Sequence, residues 1–333
     1  MTDNPAPRPD YVLPEAGWPT EAELEEPTVF TIARIVKLSI WRAIKERPGQ
    51  IILSSYFLLM LWGRYGNLDL LKHIIPGWEG PGSDPDRRKR LIPGVPWDHE
   101  LISYLSGFFL LVLVPIGLIK AVFKQSLSEY GLGLPKRRWE FAGLTLLTLG
   151  GASILPFIQG TRDPDMRRTY PLYRKLDPSN LGQFALYQLC YLPFFITIEF
   201  IYRGYLLFGL AGLRSEVEKH AQMRTEGPAP AEPPRSRFFA RYALLIQMLS
   251  YTAWHLGKPS PELWGAFLWG PAAGATAYAG RSIWPVVLAH WVLNILLDGA
   301  IIGLRLRPPR LPVDVAPGDN LLVEVGRRRG LAR

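Results

Sequence analysis

The 333-residue chain is 48% hydrophobic and 20% charged, and its apolar residues come in runs, not at the periods of a soluble domain. Several runs approach the roughly 20 residues that cross a bilayer as a helix, which predicts an all-α, polytopic membrane bundle of about six to eight transmembrane helices. The formal charge of +9 lies beside and between those runs, which suits anionic headgroups and not nucleic acid, and the single cysteine, Cys190, excludes an intrachain disulfide and a thiolate metal cluster.

Residues 1–28 are polar, acidic and proline-rich, and predict a flexible tail without the apolar core of a signal peptide. Residues 29–123 hold an amphipathic helix and the first membrane helices. In TVFTIARIVKLSIWRAIKERPGQ, Ile32, Ile35, Val36, Ile40 and Ile44 fall near one face, with Arg34, Lys37, Arg42 and Lys45 among them, as in a helix lying at the interface. IILSSYFLLMLWG (51–63) is short for a span, and residues 64–100 read as a loop. LISYLSGFFLLVLVPIGLIKAVF (101–123) reads as a span kinked at Pro115.

Residues 124–304 form the predicted core. KQSLSEYGLGLPKRRWE (124–140) is a polar connector, and FAGLTLLTLGGASILPFIQG (141–160) a span rich in small residues that allow close helix packing. FALYQLCYLPFFITIEFIYRGYLLFGLAGL (184–213) would be roughly 45 Å long, more than the roughly 30 Å hydrocarbon core, so it tilts, kinks near Pro193 or extends into the interface. Residues 214–237 are a polar loop. Three more spans are predicted at 238–256, 262–280 and 283–304, followed by a basic tail over 305–333. Lys and Arg occur in nearly every loop, so only the terminal GRRRGLAR favours a side of the membrane, the cytoplasmic one.

Ionisable groups in lipid cost on the order of 3 kcal/mol each and usually face a protein interior or a wet cavity. Five such polar residues stand out. Glu199 and Arg203 share a helix face at i, i+4; His255 ends the span 238–256; His290 and Asn294 share a face of the last span. Each has a structural reading: an internal ion pair, an interfacial histidine, an interhelical hydrogen-bond pair. Taken together they supply an acid, two imidazoles and an amide, the set needed for water-activated amide hydrolysis. A carboxylate takes a proton from water, a histidine positions the water or protonates the leaving amine, and a histidine with an asparagine donates to the oxyanion. A zinc site would use the same two histidines and glutamate, but no HExxH is present.

The order IEFIYRG, YTAWH and HWVLN resembles the CPBP family of intramembrane proteases (CAAX prenyl proteases and bacteriocin-processing proteins), also called the Abi family. SLSEYGLGLPKRR and YAGRSIWPVVLAHWVLN resemble the family's flanking segments, and the resemblance covers about residues 120–300. It implies a helical domain, in the inner membrane of a prokaryote, that cleaves peptides or proteins, lipidated or not, without metal. In the family the first motif is usually two adjacent glutamates, three residues, then arginine. The first glutamate is the general base, the second motif's histidine assists it, and the third motif's histidine and asparagine form the oxyanion hole. Carried over, the site is Glu199, His255, His290 and Asn294, with Arg203 orienting Glu199. The first-glutamate position, however, holds Ile198. Adjacent helical residues differ by about 100° in direction. Either the helix is rotated so that Glu199 serves as base, or the chain is a catalytically silent membrane binding or scaffold protein.

Overall fold

A computed structural model of the chain describes residues 19–63, 70–81, 83–135, 138–151, 153–211 and 236–305. Most of the expected N-terminal tail, the 214–237 loop up to residue 235 and the basic tail beyond Arg305 lie outside the described residues. Among those described there is no strand, as the all-α prediction requires.

The first described helix is short, Glu21–Glu25, and lies inside the segment expected to be a tail; Glu23 pairs with Arg34 at 2.5 Å. Helix α1 (Val29–Lys45) starts from a capping box between Thr28 and Thr31. Its apolar face is open, with Ile32, Val36, Ile40 and Ile44 all exposed. Helix α2 (Arg47–Leu61) is only about 22 Å long over its 15 residues. Helix α3 (Asp98–Val122) follows, with Pro115 in one α-helical turn between two π-helical segments, Phe109–Leu113 and Leu118–Val122.

The expected 141–160 span is broken. Helices α4 (Arg138–Gly151) and α5 (Ile154–Arg162) form a pair bent by 49°. Helix α6 (Leu181–Ala211) is the hub, packing against α3, α9 and the helices α7 (Ser236–Trp254) and α8 (Ser260–Gly280). Its central membrane window is 50% buried, against 39% for α3 and for the last helix, α9 (Trp284–Arg305). From Thr197 to Ala211 every residue is buried, whichever way it points.

By length and apolarity three described helices can cross a bilayer: α3, α6 and α9. Counting the bent α4–α5 pair as one span makes four, short of the six to eight expected. Helices α7 and α8 have 19 and 21 residues but are not apolar enough. Two arginines and Gln247 interrupt α7, while α8 is largely glycine and alanine. The small residues of α8 suit close contact with a neighbouring helix. A Cβ on Gly274 would lie 2.4 Å from Gln247 Oε1 and 2.5 Å from Leu244 Cδ1, so the glycine leaves room for these two side-chain tips between α8 and α7.

The connector predicted over 124–140 braces this core. The Ile283 N–H donates to the Gly131 carbonyl at 2.9 Å, and the Trp284 indole N–H to the Leu132 carbonyl at 3.0 Å, fixing the start of α9. The same segment presses on α6. A Cβ on Gly204 would meet the Tyr130 carbonyl oxygen at 2.9 Å and the Phe200 ring at 2.7 Å, and Phe200 itself is fully buried. This contact gives the arginine-glycine pair of the first motif a packing reason. Gly204→Ala is expected to destabilise the protein by about 1–3 kcal/mol, as overpacking does in tight cores, read as a lowered thermal midpoint in detergent; an unchanged midpoint would show that the connector gives way.

Candidate active site

Helix α6 changes its winding at the first motif. It is α-helical over Leu181–Glu199 and π-helical over Phe200–Phe208, so Glu199 ends one register and Arg203 lies in the other. π-Helical turns of this kind recur at functional sites. Both side chains are fully buried. Arg203 Nη1 stands 3.3 Å from Glu199 Oε2 and 3.4 Å from Oε1. The guanidinium carbon lies 3.9 Å from the centre of the Tyr251 ring. The ring face compensates the charge where Arg203 Nε and Nη2 find no hydrogen-bond acceptor among the described residues.

Glu199 reaches across to α9. His290 Nδ1 is 2.7 Å from Glu199 Oε1. A carboxylate only accepts, so Nδ1 carries the proton and the other ring nitrogen is left over. The imidazole sits between the rings of Phe195 and Trp269, at 4.9 Å and 5.3 Å between centres. Two of the expected site residues, Glu199 and His290, are thus joined directly, with Arg203 behind them.

One turn on, Asn294 is committed elsewhere. Its amide nitrogen donates to Gln188 Oε1 at 3.0 Å and to Asp298 Oδ2 at 3.1 Å. Gln188 Nε2 donates to the same Asp298 oxygen at 2.7 Å. Asp298 as a carboxylate accepts from both amides, which sets both orientations and occupies both hydrogens of Asn294. The result is a buried polar clasp between α6 and α9.

His255 follows the end of α7. Its Nδ1 is 2.8 Å from the Tyr251 carbonyl, so Nδ1 donates and Nε2 of the neutral ring is an acceptor. A tight corner then leads into α8: the Lys258 N–H donates to the His255 carbonyl at 3.1 Å, and Glu262 occupies the first turn of α8. Glu262 Oε1 accepts from Lys258 Nζ at 2.6 Å and lies 3.8 Å from His255 Nε2. Glu262 Oε2 accepts from the Tyr170 hydroxyl at 2.8 Å.

These parts surround one cavity of about 130 Å³. His255, Glu262, His290 and Asn294 line it, with Trp254, Trp269 and Leu293 among the apolar wall. Ile198 lines it too, whereas Glu199 does not. The two neighbours point different ways, as a helix requires: Ile198 to the cavity, Glu199 behind His290. Among the described residues no three His, Cys, Asp or Glu side chains are grouped so as to hold a metal ion.

Sequence reasoning missed Gln188, Asp298, Lys258, Glu262 and Tyr170. Asp298 had a signal, because it continues the His290–Asn294 face at i+8. Glu262 had a weaker one, as the only acid in α8. Tyr170 had none; it is brought to Glu262 across 92 residues.

No curated protein and no solved structure matches the chain. A family model described as type II CAAX prenyl endopeptidase Rce1-like matches residues 181–296, about a third of its length. The matched segment runs from the start of α6 to α9 and contains Glu199, Arg203, His255, His290 and Asn294, all three motifs in order. Three described helices are long and apolar enough to cross a bilayer, and residues 181–296 are similar to the Rce1-like type II CAAX prenyl endopeptidases, in line with the resemblance to the CPBP family.

Proposed function

We propose that the protein is an intramembrane endopeptidase that hydrolyses peptide bonds of membrane-associated proteins or peptides, with water as the nucleophile and no metal. One observation carries this reading. His255 and His290, from separate helices, line the same cavity within the Rce1-like segment. The cavity is apolar over most of its wall, so charge that develops on a bound peptide is poorly screened and fixed donors count for more.

The roles follow from the hydrogen bonds. His255 offers Nε2 as an acceptor, because Nδ1 is spent on the Tyr251 carbonyl. It orients the attacking water. His290, held through Nδ1 by Glu199, turns its other nitrogen to the substrate and in its doubly protonated form, balanced by the Glu199 carboxylate, donates to the oxyanion as the tetrahedral centre forms. Glu199 sits off the cavity wall, which makes it in this reading a positioning residue for His290 instead of the expected base. Arg203 neutralises Glu199, both side chains being fully buried. Asn294, with both amide hydrogens engaged, ties α9 to α6.

One feature favours a second reading, a silent binding or scaffold protein. Ile198 is apolar where the resemblance calls for the catalytic glutamate, and it faces the cavity. Such a chain would hold a membrane peptide without cutting it.

Cleavage of membrane-inserted peptides in detergent separates the two. The protease reading expects turnover by the wild type, with kcat lowered about 10²–10³-fold in His290→Ala, the usual loss for one oxyanion donor. Glu199→Gln should keep KM within a few-fold and lower kcat, because it removes the charge behind His290 but not the cavity wall. A chain that binds peptide, leaves it intact and cleaves only as Ile198→Glu is the binding protein.

A further inference from the structure

We propose that Glu262 is the general base of this site, supplying from the first turn of α8 the carboxylate that Ile198 lacks. The inference rests on the hydrolytic reading above and goes beyond it in naming the group that takes the proton from water.

Among the described residues lining the cavity, Glu262 is the only carboxylate. Glu199 is fully buried with Oε1 bound to His290, and Asp298 is bound by two amides outside the cavity wall. Glu262 instead keeps 16% of its side chain exposed. It also shares the cavity with His255, whose exposure is 8%.

The geometry of that pair suits a shared water. Glu262 Oε1 and His255 Nε2 are 3.8 Å apart, too far for a hydrogen bond between them. Both are acceptors, since Nδ1 holds the histidine's proton. Two acceptors at that spacing are matched by a molecule with two hydrogens. A water about 2.8 Å from each would hold them at an angle of about 85°, within the tolerance of its two O–H directions. Lys258 and Tyr170 hold the carboxylate in place, one on each oxygen, and leave lone pairs on Oε1. The imidazole is fixed by the Tyr251 carbonyl and packs edge-on to the Tyr251 ring, 4.6 Å between centres.

The step balances with water as the only co-reactant. One O–H bond of the water breaks and its proton passes to Glu262 Oε1. The oxygen forms a bond to the scissile carbonyl carbon, and the carbonyl electron pair moves to its oxygen. When the tetrahedral centre collapses, the C–N bond breaks, the nitrogen takes the proton from Glu262, and the carboxylate is restored.

The test uses full-length protein in detergent and an internally quenched, S-farnesylated peptide ending in a CAAX sequence. Wild type, Glu262→Gln, Ile198→Glu and the double variant Ile198→Glu/Glu262→Gln are compared, each checked for an unchanged thermal midpoint, with Glu262→Asp replacing any Glu262→Gln protein that is not folded. Glu262→Gln should lose about 10²–10⁴-fold in kcat, the range for a positioned general base. The double variant should regain activity, because residue 198 faces the same cavity; an anchoring role for Glu262 would not be rescued this way. Two results overturn the base assignment and leave the protease reading standing: Glu262→Gln within threefold of wild type, or a folded Glu262→Gln that is dead and unrescued. Turnover that appears only once Ile198→Glu is made in an otherwise wild-type chain overturns both. No turnover by wild type or by Ile198→Glu overturns both.

Discussion

A charge inside an apolar bundle must be paired, and the pairing of Glu199 with Arg203 and His290 is the contact on which the rest of this protein depends. All but the imidazole is fully removed from solvent. Breaking one partner of such a buried pair typically costs about 3–5 kcal/mol, because the other charge is left uncompensated. The trio therefore fixes how α6 faces α9. It also places His290 at the cavity wall with one nitrogen spoken for. The clasp of Gln188, Asn294 and Asp298 repeats the device farther along the same two helices.

The second half of the site is built differently. His255 lies in the tight corner that joins α7 to α8 and Glu262 in the first turn of α8, so the corner sets their spacing. Gly274 leaves room for the Gln247 and Leu244 side chains deeper between α7 and α8, and the Trp62–Trp254 stack at 4.7 Å packs the α7 end beside the corner. Tyr170 then reaches Glu262 from the segment after α5. One half relies on charge pairing between helices, the other on close backbones and a turn. The cavity exists because both halves border the same face of α6, where Ile198 points.

Much of this was legible in the amino-acid order. Glu199 and Arg203 at i, i+4, His255 at the end of an apolar run and His290 with Asn294 at i, i+4 named the participants, because helical spacing converts directly into shared faces. The all-helical class followed from the length of the apolar runs. The number of membrane crossings did not, since α7 and α8 have a span's length but not its mean apolarity, and three described helices pass on both counts.

By itself, then, the sequence determined the helices, the buried charges and the three motifs, all of which depend on neighbours within a few turns. Only the tertiary structure decided which carboxylate meets the cavity. Ile198 and Glu199 are adjacent in the chain but diverge around the helix axis, and one enters the cavity while the other stands behind His290. Glu262 is brought beside His255 by the turn between α7 and α8 and is held there by a tyrosine 92 residues away. Direction around an axis and approach between distant segments are set by packing, and packing is not written in the spacing of any one motif.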